Sequence, residues 1–412
     1  MHAAWSRRQF LGATAAGAAA APGAPQLALQ AVYLKDCSFE APQGPRVTPD
    51  WNPQIGLDLN TSVTTLEGDL HEVLLTVTVS AKTGEQTAFL VEVKQAGAFL
   101  MQNLGNEDFR RAVGIIAPGV LFPYVRAVVT NLVGQGAIIV TGAVVRLTGS
   151  GLGCPTWPQC TPGSYVPVRE QAEGFHKYIE FGNRTLTGLV GFVALAAVIA
   201  IWRWTDRRRA LLVPAVLVLA GVAVQAILGG ITVRTGLNPA TVAAHFLVSM
   251  GLIAAATAAY VEGRMPPGPR HLVVPGIVLQ VAWATTALAG VVLVLGTIVT
   301  GSGPHSGDAD QPARLSFDPR SASWLHADSV MLFVGLVIAM VVATHLVGRT
   351  ELVKNAWRGV LFVTLAQGVV GYTQYFTKLP EALVLLHMLL ASLLVIALVN
   401  GLKHLRGQAE PS

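Results

Sequence analysis

The chain has 412 residues, 52% of them hydrophobic and only 12% charged, with a formal charge of +5 at pH 7. A charged fraction about half the soluble norm excludes a purely soluble protein, and the length leaves room for two or three domains. The basic excess lies in short loops between apolar runs, so it is a membrane-topology signal and argues for no nucleic-acid partner.

Residues 1–25 form a leader with Arg7-Arg8 followed by a short Ala/Gly-rich stretch. This resembles a twin-arginine export signal. Its apolar core is too short and too small to span a bilayer.

Residues 26–136 read as a soluble, mildly acidic domain. Residues 26–126 carry 11 Asp/Glu against 7 Lys/Arg. Period-2 alternation at 72–80 and 87–93 predicts two strands, with Gly84 in the turn between them. Runs at 28–40 and 56–65 supply two more. From Asn106 to Val133 the spacing turns helical, with breaks expected at Pro118 and Pro123. The expected layout is α+β, a four-stranded antiparallel sheet followed by helix. No nucleophile–base pair, phosphate loop or metal cluster is evident, and His71, within a strand, reads as structural.

Three stretches of this domain, Tyr33–Pro42, Gly84–Val93 and Leu121–Tyr124, resemble the SecB export chaperone. The resemblance implies a tetramer that binds unfolded preproteins. It implies also that Asp36, Glu40, Leu90 and Glu92 dock the SecA motor. SecB's connecting segment and final helix are absent here, so the domain is C-terminally truncated.

From residue 137 to 405 the pattern is an all-α polytopic membrane bundle, with a short tail at 406–412. Eight spans are expected, at about 127–147, 180–204, 210–230, 240–261, 273–299, 326–347, 359–376 and 381–402. The first is the weakest and shares residues with the preceding domain. Basic clusters at Arg203/Arg207/Arg208/Arg209, Arg264/Arg270, Arg349/Lys354/Arg358 and Lys403/Arg406 place their loops in the cytoplasm. That orientation puts the N-terminal domain in the cytoplasm too, against the leader's implication of export. The repeated basic loops outweigh the one short motif.

The bundle repeats weakly as two four-helix halves. Thr148-Gly149-Ser150-Gly151 recurs as Thr300-Gly301-Ser302-Gly303 at an offset of 152, and His245 recurs as His387 at 142. Asn183 plus 143 is His326. Ionisable side chains inside spans point to function. Two histidines on facing helices can ligate heme iron, which makes His326 and His387 the first metal-ligand pair and His245 a third ligand. A hydrogen-bonded structural role is the alternative for each. No third and fourth ligands converge for zinc. His176, Glu180 and Asn183 share one helix face. Glu180 is either an acid–base or electrostatic group beside a cofactor, or a carboxylate paired with Arg184. His305, on the outer side, is an open candidate for a cofactor edge. Cys154 and Cys160 lie in an outer loop where a disulfide is permitted; two free thiols are the alternative.

Val145–Cys160, Ile179–Arg184, Gly229–Pro239 and Thr300–Asp308 resemble heme A synthase of the actinobacterial type. The resemblance implies a b-type heme on His326 and His387. Heme O, the substrate, would bind near His245 and Glu180, with Asn183, His176, His305 and Arg184 as further cofactor contacts. It implies Glu180 and His245 as catalytic residues, the paired outer-loop cysteines, and heme O synthase as donor. The best-known members of the family carry histidine where this chain has Asn183, and the family's full first span is replaced here by the SecB-like sequence.

The expectation is a multi-pass protein of the bacterial cell membrane. It oxidises a heme O methyl group to the formyl group of heme A and is fused to a chaperone domain. The alternatives are activity of the SecB-like domain alone, or a heme b electron-transfer protein.

Overall fold

The computed structural model describes residues 25–40, 54–83, 86–121, 135–204, 209–265, 270–303, 313–348 and 350–407. The leader, Gly84, Pro123 and His305 lie outside the described residues. The chain divides into two compact units, Met1–Thr130 and Asn131–Ser412.

In the first unit, strands β1 (Gln26–Glu40), β2 (Gln54–Glu67), β3 (Leu70–Thr83) and β4 (Gln86–Gln102) form one antiparallel sheet in the order β1-β4-β3-β2. This is the four-stranded sheet that the alternation predicts. Helix α1 (Asn106–Arg111) continues into a π-helical turn, Ala112–Ile116, and on as helix to Leu121. The break expected at Pro118 is not there. A proline inside a helix lacks an N–H and crowds the carbonyl four residues back. That carbonyl belongs to Gly114, inside the π turn, where the wider spacing relieves the conflict. Ala112, Ala117 and Leu121 are buried from this segment, with Val73, Leu75, Val93 and Phe99 from the sheet. A Cβ on Gly97 would stand 2.8 Å from Leu121, so the glycine admits that side chain to the sheet. His71 hydrogen-bonds Thr65 and packs edge-on to Phe109, a structural arrangement.

Among its described residues the second unit's regular structure is helical apart from one two-residue ladder and an isolated bridge between Thr161 and Ser164. Its helices are α2 (Gln135–Leu147), α3 (His176–Trp204), α4 (Arg209–Arg234), α5 (Pro239–Arg264), α6 (Gly276–Ser302), α7 (Pro319–Val347), α8 (Glu351–Phe376) and α9 (Glu381–His404). Six of these, α3 to α7 and α9, are long and apolar enough to cross a membrane. A helix needs about 20 residues for the hydrocarbon core. The 13 residues of α2 fall short of that, and α8 carries Lys354, Asn355, Gln367 and Gln374.

Successive helices pack as antiparallel neighbours, and α9 lies also against α5 and α2. Trp357, Phe333, Met340, Val337 and Leu398 form the core of the C-terminal half. At one end Arg270 grips the buried Glu262 through two 2.7 Å hydrogen bonds, and Lys403 joins at 3.2 Å. There β5 (His271–Leu272) pairs with β6 (Arg406–Gly407). At the opposite end Arg146 donates to the Thr300 carbonyl at 3.2 Å, linking the two copies of the Thr-Gly-Ser-Gly motif.

Candidate functional site

Three histidines face the interior of the second unit in matching settings. His326 lies on α7, His387 on α9 and His245 on α5. The Nδ1 atom of each is buried without a hydrogen-bond partner. Each ring lies against a glycine on the preceding helix. A Cβ on Gly296 would approach His326 to 3.3 Å, one on Gly371 His387 to 3.1 Å, and one on Gly229 His245 to 3.6 Å. Ionisable rings at repeat-related positions inside apolar helices point to function. Neutral imidazoles in an apolar bundle suit heme iron, whose porphyrin supplies the remaining donors. Among the described residues no group of three or more His, Cys, Asp or Glu could hold a metal ion.

The repeat is stronger than the sequence reading recognised. Gln225 and Gln367, Gly229 and Gly371, and His245 and His387 all stand 142 apart. Gln225 is 9% exposed and donates from Nε2 to the His245 carbonyl at 2.9 Å and to Ser249 Oγ at 2.5 Å. The Oε1 atoms of Gln225 and Gln367 are both buried without a partner. These glutamines and the three glycines are positions the sequence reading missed. The offset shared with the histidines was the signal available.

Asn183, the counterpart of His326, lies on α3. Its Oδ1 accepts from Thr141 of α2 at 2.8 Å. His176 sits two turns further out, about 10 Å along the helix. Its Nδ1 contacts Ser150 Oγ at 2.8 Å.

Glu180 is anchored rather than free. Its Oε2 accepts from the Cys154 backbone N–H at 2.6 Å, and its Oε1 accepts from Arg184 Nε at 3.1 Å and Nη2 at 2.5 Å. Arg184 also donates to the carbonyls of Cys154, Thr156 and Gln159. Cys154 and Cys160 form a disulfide that closes this loop. Trp157, at its tip, covers Gly230, whose Cβ would meet the indole at 2.5 Å, and Arg234 lies over the ring. Gly230 adjoins Gly229, so the loop sits over the helix that carries the His245 notch. Glu180, Arg184, the disulfide and His245 therefore belong to one end of the N-terminal half. His305 lies outside the described residues.

On the first unit, Asp36 pairs in register with Lys94, and Glu40 with Leu90. Lys94 contacts Glu92 at 2.8 Å and Asp36 at 3.3 Å. Those two carboxylates raise the Lys94 pKa above its ordinary value. The two-residue period puts Leu90, Glu92 and Lys94 on one face.

A multi-pass bundle with repeat-related histidines, preceded by an antiparallel sheet domain, defines a two-part membrane protein. Residues 126–399 match the family model described as Cytochrome oxidase assembly protein, and residues 20–140 match Preprotein translocase subunit SecB. The chain is 49% identical over 123 residues to Protein-export protein SecB of Ectopseudomonas mendocina, which covers 29% of this chain and 76% of that protein. To the protein of the same name from Pseudomonas putida it is 46% identical over 122 residues, 29% of this chain and 76% of that one. For Pseudomonas aeruginosa the identity is 49% over 115 residues, with shares of 27% and 71%. The chain belongs to both families, with a SecB domain ahead of a heme A synthase-like cytochrome oxidase assembly domain. Both family models include residues 126–140.

Proposed function

We propose that the membrane domain converts heme O to heme A, oxidising a heme methyl group through hydroxylated stages to the formyl group. The observation that supports this is the set of three half-buried imidazoles at repeat-related positions, each against a glycine of the preceding helix. His326 and His387 would hold a resident b-type heme, and His245 the substrate heme O delivered by heme O synthase. Bound heme iron supplies the redox chemistry. Glu180 accepts three hydrogen bonds, from Arg184 and the Cys154 N–H. Its supported role is positional: with Arg184 it fixes the disulfide loop over the substrate half.

Acid-acetone extraction of hemes from the purified protein, made in cells that also make heme O, tests this reading. Heme B together with hemes O and A supports it. Glu180→Ala should keep heme B, which reports a folded C-terminal half, and lose heme A. Full conversion by that variant would remove Glu180 from the mechanism, and heme B alone from the unaltered protein would overturn the synthase reading.

For the SecB domain we propose binding of unfolded preproteins and of SecA on the cytoplasmic side of the membrane. The face formed by Leu90, Glu92 and Lys94, with Asp36 paired to Lys94, supports this. Glu92→Lys should weaken SecA binding at least about tenfold, since charge reversal in a docking face sets like charges together. Unchanged affinity, measured by calorimetry, would count against that face.

A further inference from the structure

We propose, building on the heme reading above, that the heme of the N-terminal half has His245 as its only protein ligand. Its other axial position stays open to a small neutral molecule such as water or dioxygen, with the Asn183 amide as hydrogen-bond donor on that side.

The internal repeat carries the argument. In the C-terminal half both slots hold histidine, and both rings have a glycine opposite, Gly296 for His326 and Gly371 for His387. In the N-terminal half one slot is kept whole. Gln225, Gly229 and His245 repeat Gln367, Gly371 and His387 at a constant offset. The other slot is changed at both of its positions. Asn183 replaces the histidine, and the 152-residue offset of the Thr-Gly-Ser-Gly motif places Val144 where Gly296 stands. The ligand and the notch that would seat its ring are thus missing together.

Asn183 is a poor substitute as a ligand. An amide nitrogen has no basic lone pair, and its carbonyl oxygen is taken by Thr141 at 2.8 Å. That contact leaves Nδ2 to donate. The neighbours on its face do not fill the slot. Glu180, three residues outward, is held by Arg184 and the Cys154 N–H. His176, seven residues outward, is tied to Ser150. An open position suits the half that must admit an oxidant; a closed pair of histidines suits the half that passes electrons.

The test is optical spectroscopy of the full chain, purified with its hemes, reduced with dithionite and exposed to carbon monoxide. The expected result is two heme populations, one low-spin and inert, the other high-spin and carbon monoxide-reactive. The reactive population should be lost in His245→Ala, whereas His387→Ala, which leaves His326 as the other heme's one ligand, should add a second reactive population. The double variant Asn183→His with Val144→Gly should convert it to a low-spin, unreactive form, while Asn183→Ala should keep reactivity with a faster carbon monoxide off-rate. Two low-spin, unreactive populations would overturn the proposal, and their conversion by His176→Ala would name the ligand that closes the site. A reactive population that survives His245→Ala, or a lone low-spin heme, would overturn it as well. Failure to bind any heme would instead overturn the reading on which the proposal rests.

Discussion

A buried imidazole needs room as much as chemistry, and the glycines opposite the three histidines set that room in graded amounts. The Cβ distances of 3.1, 3.3 and 3.6 Å for Gly371, Gly296 and Gly229 rank how tightly each ring is seated. Gly371→Val should force the His387 ring from its place, costing about 1–3 kcal/mol as overpacking does. Heme B per protein should fall by more than half, with a lower thermal midpoint in detergent. Gly229→Ala, at ordinary van der Waals distance, should leave heme content near that of the unaltered protein. Equal loss in both variants would show that the glycines serve helix packing rather than the rings. The histidines were readable from sequence because ionisable groups inside spans stand out. The glycines were not, because in apolar helices glycine is common and a notch has meaning only once the partner helix is known.

At the scale of elements, the disulfide loop and the start of α3 work as one piece. Arg184 reaches across to three loop carbonyls while neutralising Glu180, whose side chain is 7% exposed. Removing one partner of a buried pair leaves an uncompensated charge and costs about 3–5 kcal/mol. Arg184→Leu should therefore lower the thermal midpoint and expose the loop to proteolysis. The double variant Arg184→Leu with Glu180→Leu should recover part of the loss. No recovery would mean that the carbonyl contacts, and not the buried charge, hold the loop. The cysteines and Arg184 were visible in the sequence as alternatives; the structure joins them in one latch. Strand alternation outlined β3 because Val73, Leu75 and Val77 bury one of its faces, whereas β2 leaves Leu57, Leu59 and Val63 exposed. The helix through Pro118 was missed because a π turn has no periodic signature.

Over the membrane unit, two of the basic residues that suggested orientation, Arg270 and Lys403, meet at Glu262. The outer loop with the disulfide lies at the opposite end of that unit. In a Cys37→Ser background, a cysteine placed at Glu92 should react with a membrane-impermeant maleimide only after cells are opened. One at the exposed Tyr165 should react in intact cells. Labelling of both in intact cells would mean that the leader exports the first domain. Where the two family matches share residues 126–140, sequence reading could not assign the helix to either side, since an amphipathic chaperone helix and a weak span have the same composition. The matched offsets of glutamine, glycine and histidine relate the two halves as an internal repeat. Asparagine and histidine codons differ by a single base, so one point mutation would restore the fourth histidine. The protein thus stands one mutation from symmetry at these four positions, and a second, at Val144, from symmetry in the space around them.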